Sequence, residues 1–209
     1  MKKLLIAVLL ASMVVIPSSL ALLTSREPRN GFISSPVTIE YFGDYQGPFD
    51  GRFWNQTYPL IKSEYIDTGK AKLIFRNFPL SFHPHSHIAA EAGECVFEQG
   101  QRKFWNFHNI LFSRQSEWSG QEPEEVLNLL AQYASEAGAD LENYITCMNE
   151  QRYLEEVDAD FNEGVKRGVS GVPSFFINGN LLVGAQPFEV FQEVIESHDP
   201  VPAFSSERV

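Results

Sequence analysis

The stretch "YFGDYQGPFDGRFW", Tyr41 to Trp54, decides the reading of this chain. Val37 to Tyr45 is β-branched and aromatic, the composition of a strand. The strand gives way at Asp44-Tyr45-Gln46, and a turn then opens a helix. Phe49 to Asp67 sets Phe53, Trp54, Thr57, Tyr58, Ile61 and Tyr65 on one helical face. Pro59 lies inside that helix, removes one hydrogen bond and predicts a kink near Asn55. Thr68-Gly69 ends the helix, and Lys70 to Leu80 reads as a second strand. Two strands joined by a helix make a parallel βαβ unit.

Beyond Leu80 the periodicity turns helical. His85 to Ser113 is a long apolar-periodic stretch broken near Gly100. Pro123 to Ala137 aligns Val126, Leu129, Leu130, Tyr133, Ala134 and Ala137, with Glu124 and Glu125 in a first turn that favours acids. Asp140 can cap a short helix carrying Leu141, Tyr144, Ile145 and Met148. Tyr153, Leu154, Val157, Phe161 and Val165 mark another helix, which stops at Gly168. "VPSFFINGNLLVG" then reads as a β-hairpin, because Asn178-Gly179 accepts the positive φ values of a type I′ turn. Gln186 to Ser197 is a last helix, with Phe188, Val190, Phe191, Val194 and Ile195 on its apolar positions. The order is βαβ, a helical insert over about 84–168, then ββα: an α/β chain with one domain over 36–198.

The ends read differently. Residues 1–23 join Lys2 and Lys3 to an apolar run, Leu4 to Ile16, broken by Pro17, with Ser19-Leu20-Ala21 resembling a cleavage site. This is a signal peptide or an N-terminal membrane anchor, and both readings place the domain outside the cytoplasm. Residues 24–35 read as a linker and 199–209 as a flexible tail.

Composition narrows the function classes. Among 209 residues, 44% are apolar and 17 are Phe, enough for a substantial core. The net charge of −11 argues against nucleic-acid binding, which needs a basic stripe for phosphates. Cys95 and Cys147 are the two cysteines. Export favours a disulfide between them over buried free thiols. Such a bridge closes a loop of about 50 residues, worth ~4 kcal/mol in the chain-entropy model.

The element order, with the segments "VTIEYFGDYQGPFDGRF", "LIFRNFPLSFHP", "AAEAGECVFEQGQRKFWNFHNILF" and "GVSGVPSFFINGNLLVGAQPFEVFQEVI", resembles the DsbA-like branch of the thioredoxin superfamily. The resemblance covers nearly all of residues 36–197. It implies a thioredoxin fold with a helical insertion and an ancestry among exported thiol-disulfide oxidoreductases. Two features carry that activity in the family: Cys-x-x-Cys at the first helix N-terminus, and a cis-proline loop facing it. The loop matches at Val172-Pro173. The cysteine motif does not, because the four residues are Gly47-Pro48-Phe49-Asp50. Some family members also carry a further cysteine pair near Cys95 and Cys147, which suits a clamp between insert helices better than a relocated redox pair.

Disulfide exchange proceeds by thiolate attack on a disulfide sulfur. Gly47 has no side chain, and the Asp50 carboxylate cannot replace sulfur. Helix N-terminal N–H groups that would stabilise a thiolate can serve Asp50, a contribution of about 0.3–1 kcal/mol. Asp50 is thus expected as an anion in the vacated place, with Gly47 leaving room for a side chain. The Val172–Pro173 bond is expected to be cis and to face residues 47–50 across a groove. By the family's pattern, the residue before that proline offers its backbone to an extended polypeptide.

His83, His85 and His87 alternate like strand ligands, but Pro84 and the following helix spoil metal geometry, so a polar turn is the better reading. No metal or cofactor is expected. His108 and His198 read as ordinary surface or half-buried residues, and Phe104, Trp105, Phe107, Phe112 and Trp118 as core. The sequence therefore points to a redox-inactive polypeptide-binding or accessory protein of envelope protein folding. Its partners would be exported polypeptides or envelope proteins, with possible membrane attachment through the N-terminus. The alternative is an oxidoreductase acting through Cys95 and Cys147 or with a thiol partner.

Overall fold

Strand β2, Val37–Gly43, lies at the centre because both its faces are apolar: Val37, Ile39 and Tyr41 point to one side and Phe42 to the other, all fully buried. The computed structural model describes residues 27–197. The segment 1–23, the tail 199–209 and His198 lie outside these residues. β3, Ala71–Asn77, pairs parallel to β2, with Ile39 opposite Leu73 and Tyr41 opposite Phe75. On the other flank β4, Ser174–Ile177, runs antiparallel to β2, and β5, Asn180–Val183, closes the hairpin. Asn178 and Gly179 take φ of 46° and 89°, as the two-residue turn requires.

One strand was not expected. Arg29–Asn30, inside the stretch read as linker, forms β1 and pairs antiparallel to β3, giving the order β1-β3-β2-β4-β5. Two residues carry too little pattern to announce a strand. The contacts that hold β1 come from far along the chain: Gln101 accepts from the Arg29 N–H, and Trp105 Nε1 donates to the Arg29 carbonyl.

The helical run after β2 alternates α-helical turns, α1 at Pro48–Arg52 and α2 at Tyr58–Ile61, with π-helical turns at Phe53–Thr57 and Lys62–Ile66. The irregularity anticipated around Asn55 takes this form. Pro59 cannot donate, and the wider turn precedes it. All six residues assigned to the inner face are buried. Tyr41 packs against Phe53, Phe75 and Phe175, which ties the first π-helical turn, β3 and β4 to the central strand.

The insert comprises α3 (Ser86–Phe97), α4 (Gln101–Ser113), α5 (Gln115–Trp118), α6 (Pro123–Glu136), α7 (Leu141–Asn149) and α8 (Leu154–Lys166). Gly100, at φ 127°, makes the break between α3 and α4. Asp140 caps α7 by accepting from the Asn143 N–H at 2.9 Å. Three side chains depart from their expected faces. Leu141 and Ile145 on α7 and Val165 on α8 are exposed, because Tyr144, Cys147 and Gly164 take the inward positions. α9, Phe188–Glu196, packs Phe191 and Ile195 onto the sheet.

His108 corrects the sequence reading more sharply. It is completely buried, ringed by Trp54, Phe75, Phe104, Trp105 and Phe112, and bonded through Nδ1 to the Tyr45 hydroxyl at 2.8 Å. Burial holds its pKa well below the usual imidazole range, so the ring is neutral. The aromatic set read as core is core: Phe104, Trp105, Phe107, Phe112 and Trp118 are all buried.

Candidate functional site

Two elements meet at the carboxyl ends of β2 and β3. One is the turn into α1; the other is the loop before β4, where the Val172–Pro173 bond is cis. Between them lies a groove of about 290 Å³ lined by Gly47, Pro48, Phe49, Asp50, Leu80, Phe82, His83, Ser170, Gly171 and Val172. Phe49 and Phe82 are 56% and 72% exposed, so two aromatic rings border it without being covered. Val172 is half-buried, and among the described residues no hydrogen bond engages its N–H or C=O.

The turn is held from several directions. Gly47 N–H donates to the Asp44 carbonyl, and Gln115 of α5 donates to the carbonyls of Tyr45 and Gly47 at 2.8 and 2.9 Å. Asp44, fully enclosed, accepts through one oxygen from the Gln46 N–H and the Ser86 hydroxyl. Its other oxygen accepts from the Leu80 N–H at 2.9 Å and meets His83 Nδ1 at 2.8 Å. His83 is thereby fixed at the groove wall. His85 Nε2 meets the Gln121 carbonyl, and His87 meets Asp158. The three histidines thus serve three different partners, and no group of three or more metal-ligating side chains assembles among the described residues.

Asp50 departs from the sequence expectation. Its carboxyl does not sit at the helix end but is wholly buried. Oδ1 accepts from the Tyr41 hydroxyl at 2.9 Å and from the Asp44 N–H at 3.2 Å, while Oδ2 is buried with no partner among the described residues. The helix N-terminus receives no side-chain cap. Burial, and next the nearby Asp44 carboxylate, push the Asp50 pKa well above the usual carboxylate range. The carboxyl has turned inward because Gly47 lets it. A Cβ on residue 47 would fall 2.2 Å from Asp50 Oδ2. The room that Gly47 was expected to leave is therefore already filled by Asp50.

Cys95 on α3 and Cys147 on α7 form a disulfide, with Cα atoms 5.8 Å apart and both residues fully buried. The bridge lies inside the main hydrophobic core, enclosed among apolar side chains. Of the residues expected at the site, 47–50 and Val172 line the groove and Pro173 does not. Leu80, Phe82, His83, Ser170 and Gly171 were not expected as groove walls, since isolated residues in loops carry no periodic signal.

The Thioredoxin family model matches residues 24–197. The chain is a DsbA-like member of the thioredoxin superfamily. It is 34% identical over 152 residues to a probable disulfide bond formation protein D of Bacillus anthracis, covering 70% of this chain and 67% of that one. The crystal structure of oxidised BdbD from Bacillus subtilis superposes with a TM-score of 0.75 at 27% identity, covering 83% of this chain and 92% of that one. The α-DsbA1 of Wolbachia pipientis shares the fold, with a TM-score of 0.72 at 23% identity, over 83% of this chain and 90% of its own. The relatives include disulfide bond formation proteins. This chain shares the fold, with Gly47 and Asp50 at the helix end beside its own open groove.

Proposed function

We propose that this chain is a polypeptide-binding accessory protein of protein folding outside the cytoplasm, without dithiol redox catalysis. One observation carries the reading. The Asp50 carboxyl fills the space a side chain at position 47 would need, while the groove above stays open. A thiol chemistry has no atom to start from at this turn. The exposed Phe49 and Phe82 and the unengaged Val172 backbone still suit an extended chain, which could add as a short strand. The fully buried Cys95 and Cys147 weigh against the reading in which they exchange disulfides, because exchange needs access for the attacking thiolate. An extracytoplasmic location rests on the N-terminal pattern and on relatives named for disulfide bond formation. Among the described residues no helix is long and apolar enough to cross a membrane.

Photo-crosslinking tests the binding. A benzoyl-phenylalanine at position 82 should trap an unfolded, cysteine-free polypeptide, and one at exposed Leu141 should not. Equal yield at both positions, or none at 82, leaves the groove inert and the protein a structural one.

A further inference from the structure

Asp50 lines the groove, yet its carboxyl is enclosed and one oxygen is unsatisfied. A buried carboxylate oxygen without a donor is costly, whereas a protonated oxygen in the same place is far less so. The groups facing it offer little relief. From β2 comes Tyr41, which already donates to Oδ1. From the turn comes Asp44, a second carboxyl bound to His83 on its far side. From α5 comes the neutral Gln115, spent on two carbonyls. The loop before β4 brings the uncharged Ser170, Gly171 and Val172. Arg52, two residues along, points its guanidinium to the Ala185 carbonyl and the Phe49 ring. Among the described residues no cation is directed at Oδ2. An ionised Asp50 must seek water, and the groove it lines is the nearest way out.

We propose that occupancy of the groove is coupled to proton uptake at Asp50: the neutral carboxylic acid, tucked against Gly47, is the form that accepts an apolar polypeptide segment. This rests on the polypeptide-binding reading above and adds its regulation. An apolar segment seated between Phe49 and Phe82 covers the exit to water, so it stabilises the neutral acid. By linkage, protonation must then tighten the segment's binding by the same factor. Protonation at this turn would thus act on affinity instead of on sulfur chemistry.

Calorimetric titration of the full chain with an acetylated, amidated Val- and Phe-rich peptide lacking cysteine and ionisable groups tests this. Repeating it in buffers of different ionisation enthalpy reads the protons exchanged. Wild type should take up a proton on binding, up to about one per peptide, and bind more tightly as pH falls, by at most about tenfold per unit. Asp50→Asn, a near-isostere fixed in the neutral form, should show neither the uptake nor the slope. His83→Gln, which removes the other titratable group in the groove wall, should keep both. Binding with an unchanged proton count in Asp50→Asn, or loss of the uptake in His83→Gln, overturns the coupling and leaves the groove reading standing. No binding by any form at any pH overturns both.

Discussion

The chain has two places where its family could keep sulfur, and they are built in opposite ways. At the helix end, residues 47–50 line an open groove and contain no sulfur. In the insert, Cys95 and Cys147 are joined and sealed among apolar side chains. Where a thiol could be reached there is none, and where sulfur is present it cannot be reached. The difference separates two jobs of cysteine. A reactive thiol needs exposure and a helix dipole, while a clamp needs burial and a long closed loop. This molecule retains the second arrangement and lacks the first.

Breaking the clamp should give the largest effect. Cys95→Ala with Cys147→Ala frees a loop spanning 52 residues in sequence, a loss of about 4 kcal/mol in the chain-entropy model. For a domain of this size the melting temperature should fall by about 10 °C, with the fold retained. Thermal unfolding with and without reductant checks it, and a reduced protein that melts unchanged removes the clamp.

The groove side offers a steric test. Gly47 has φ −67°, which any residue can adopt, so Gly47→Ala meets chiefly the Asp50 carboxyl, with the Asp44 carbonyl oxygen next at 3.2 Å. That collision should destabilise by about 1–3 kcal/mol. In an Asp50→Ala background the same change should be nearly neutral, a coupling of about 0.5–3 kcal/mol in denaturant unfolding. Additive changes would mean that the carboxyl does not sit against Gly47.

The third test is pH. The folded pKa of Asp50 is raised above its unfolded value. The stability this group contributes is therefore complete below about pH 3.9, the ordinary Asp value. It is lost as pH rises through the folded pKa. Stability of Asp50→Asn measured against pH should lack that decline. A parallel curve for wild type and variant would contradict the buried, neutral acid. The smallest stability effect is expected at Phe82→Ala: 72% exposed, it should change stability by no more than about 0.5 kcal/mol. Polypeptide crosslinking at the groove should nonetheless drop.

Much of this was legible in the residues themselves. Val37–Tyr45, the amphipathic run to Tyr65 and the Asn178-Gly179 hairpin carry strong periodic or turn signals, and the sheet follows from them. Arg29–Asn30 was not legible, because its pairing depends on Gln101 and Trp105 from the insert. His108 was misjudged because a lone polar residue on an apolar helix gives no sign of a hydroxyl partner such as Tyr45. The inward turn of Asp50 was missed for a related reason. A carboxylate in a first helical turn normally stays near the free N–H groups. Only the missing side chain at Gly47, together with the Tyr41 hydroxyl beneath, reverses that preference.

Whether the groove lacks thiol chemistry is decided by reduction of insulin disulfides with dithiothreitol as electron donor. Wild type should not exceed the uncatalysed rate. Gly47→Cys with Asp50→Cys, which removes the carboxyl as it adds both thiols, should exceed it, with a lowered pKa at the first cysteine. Catalysis by wild type that disappears in Cys95→Ala would contradict the account and return the activity to the buried bridge.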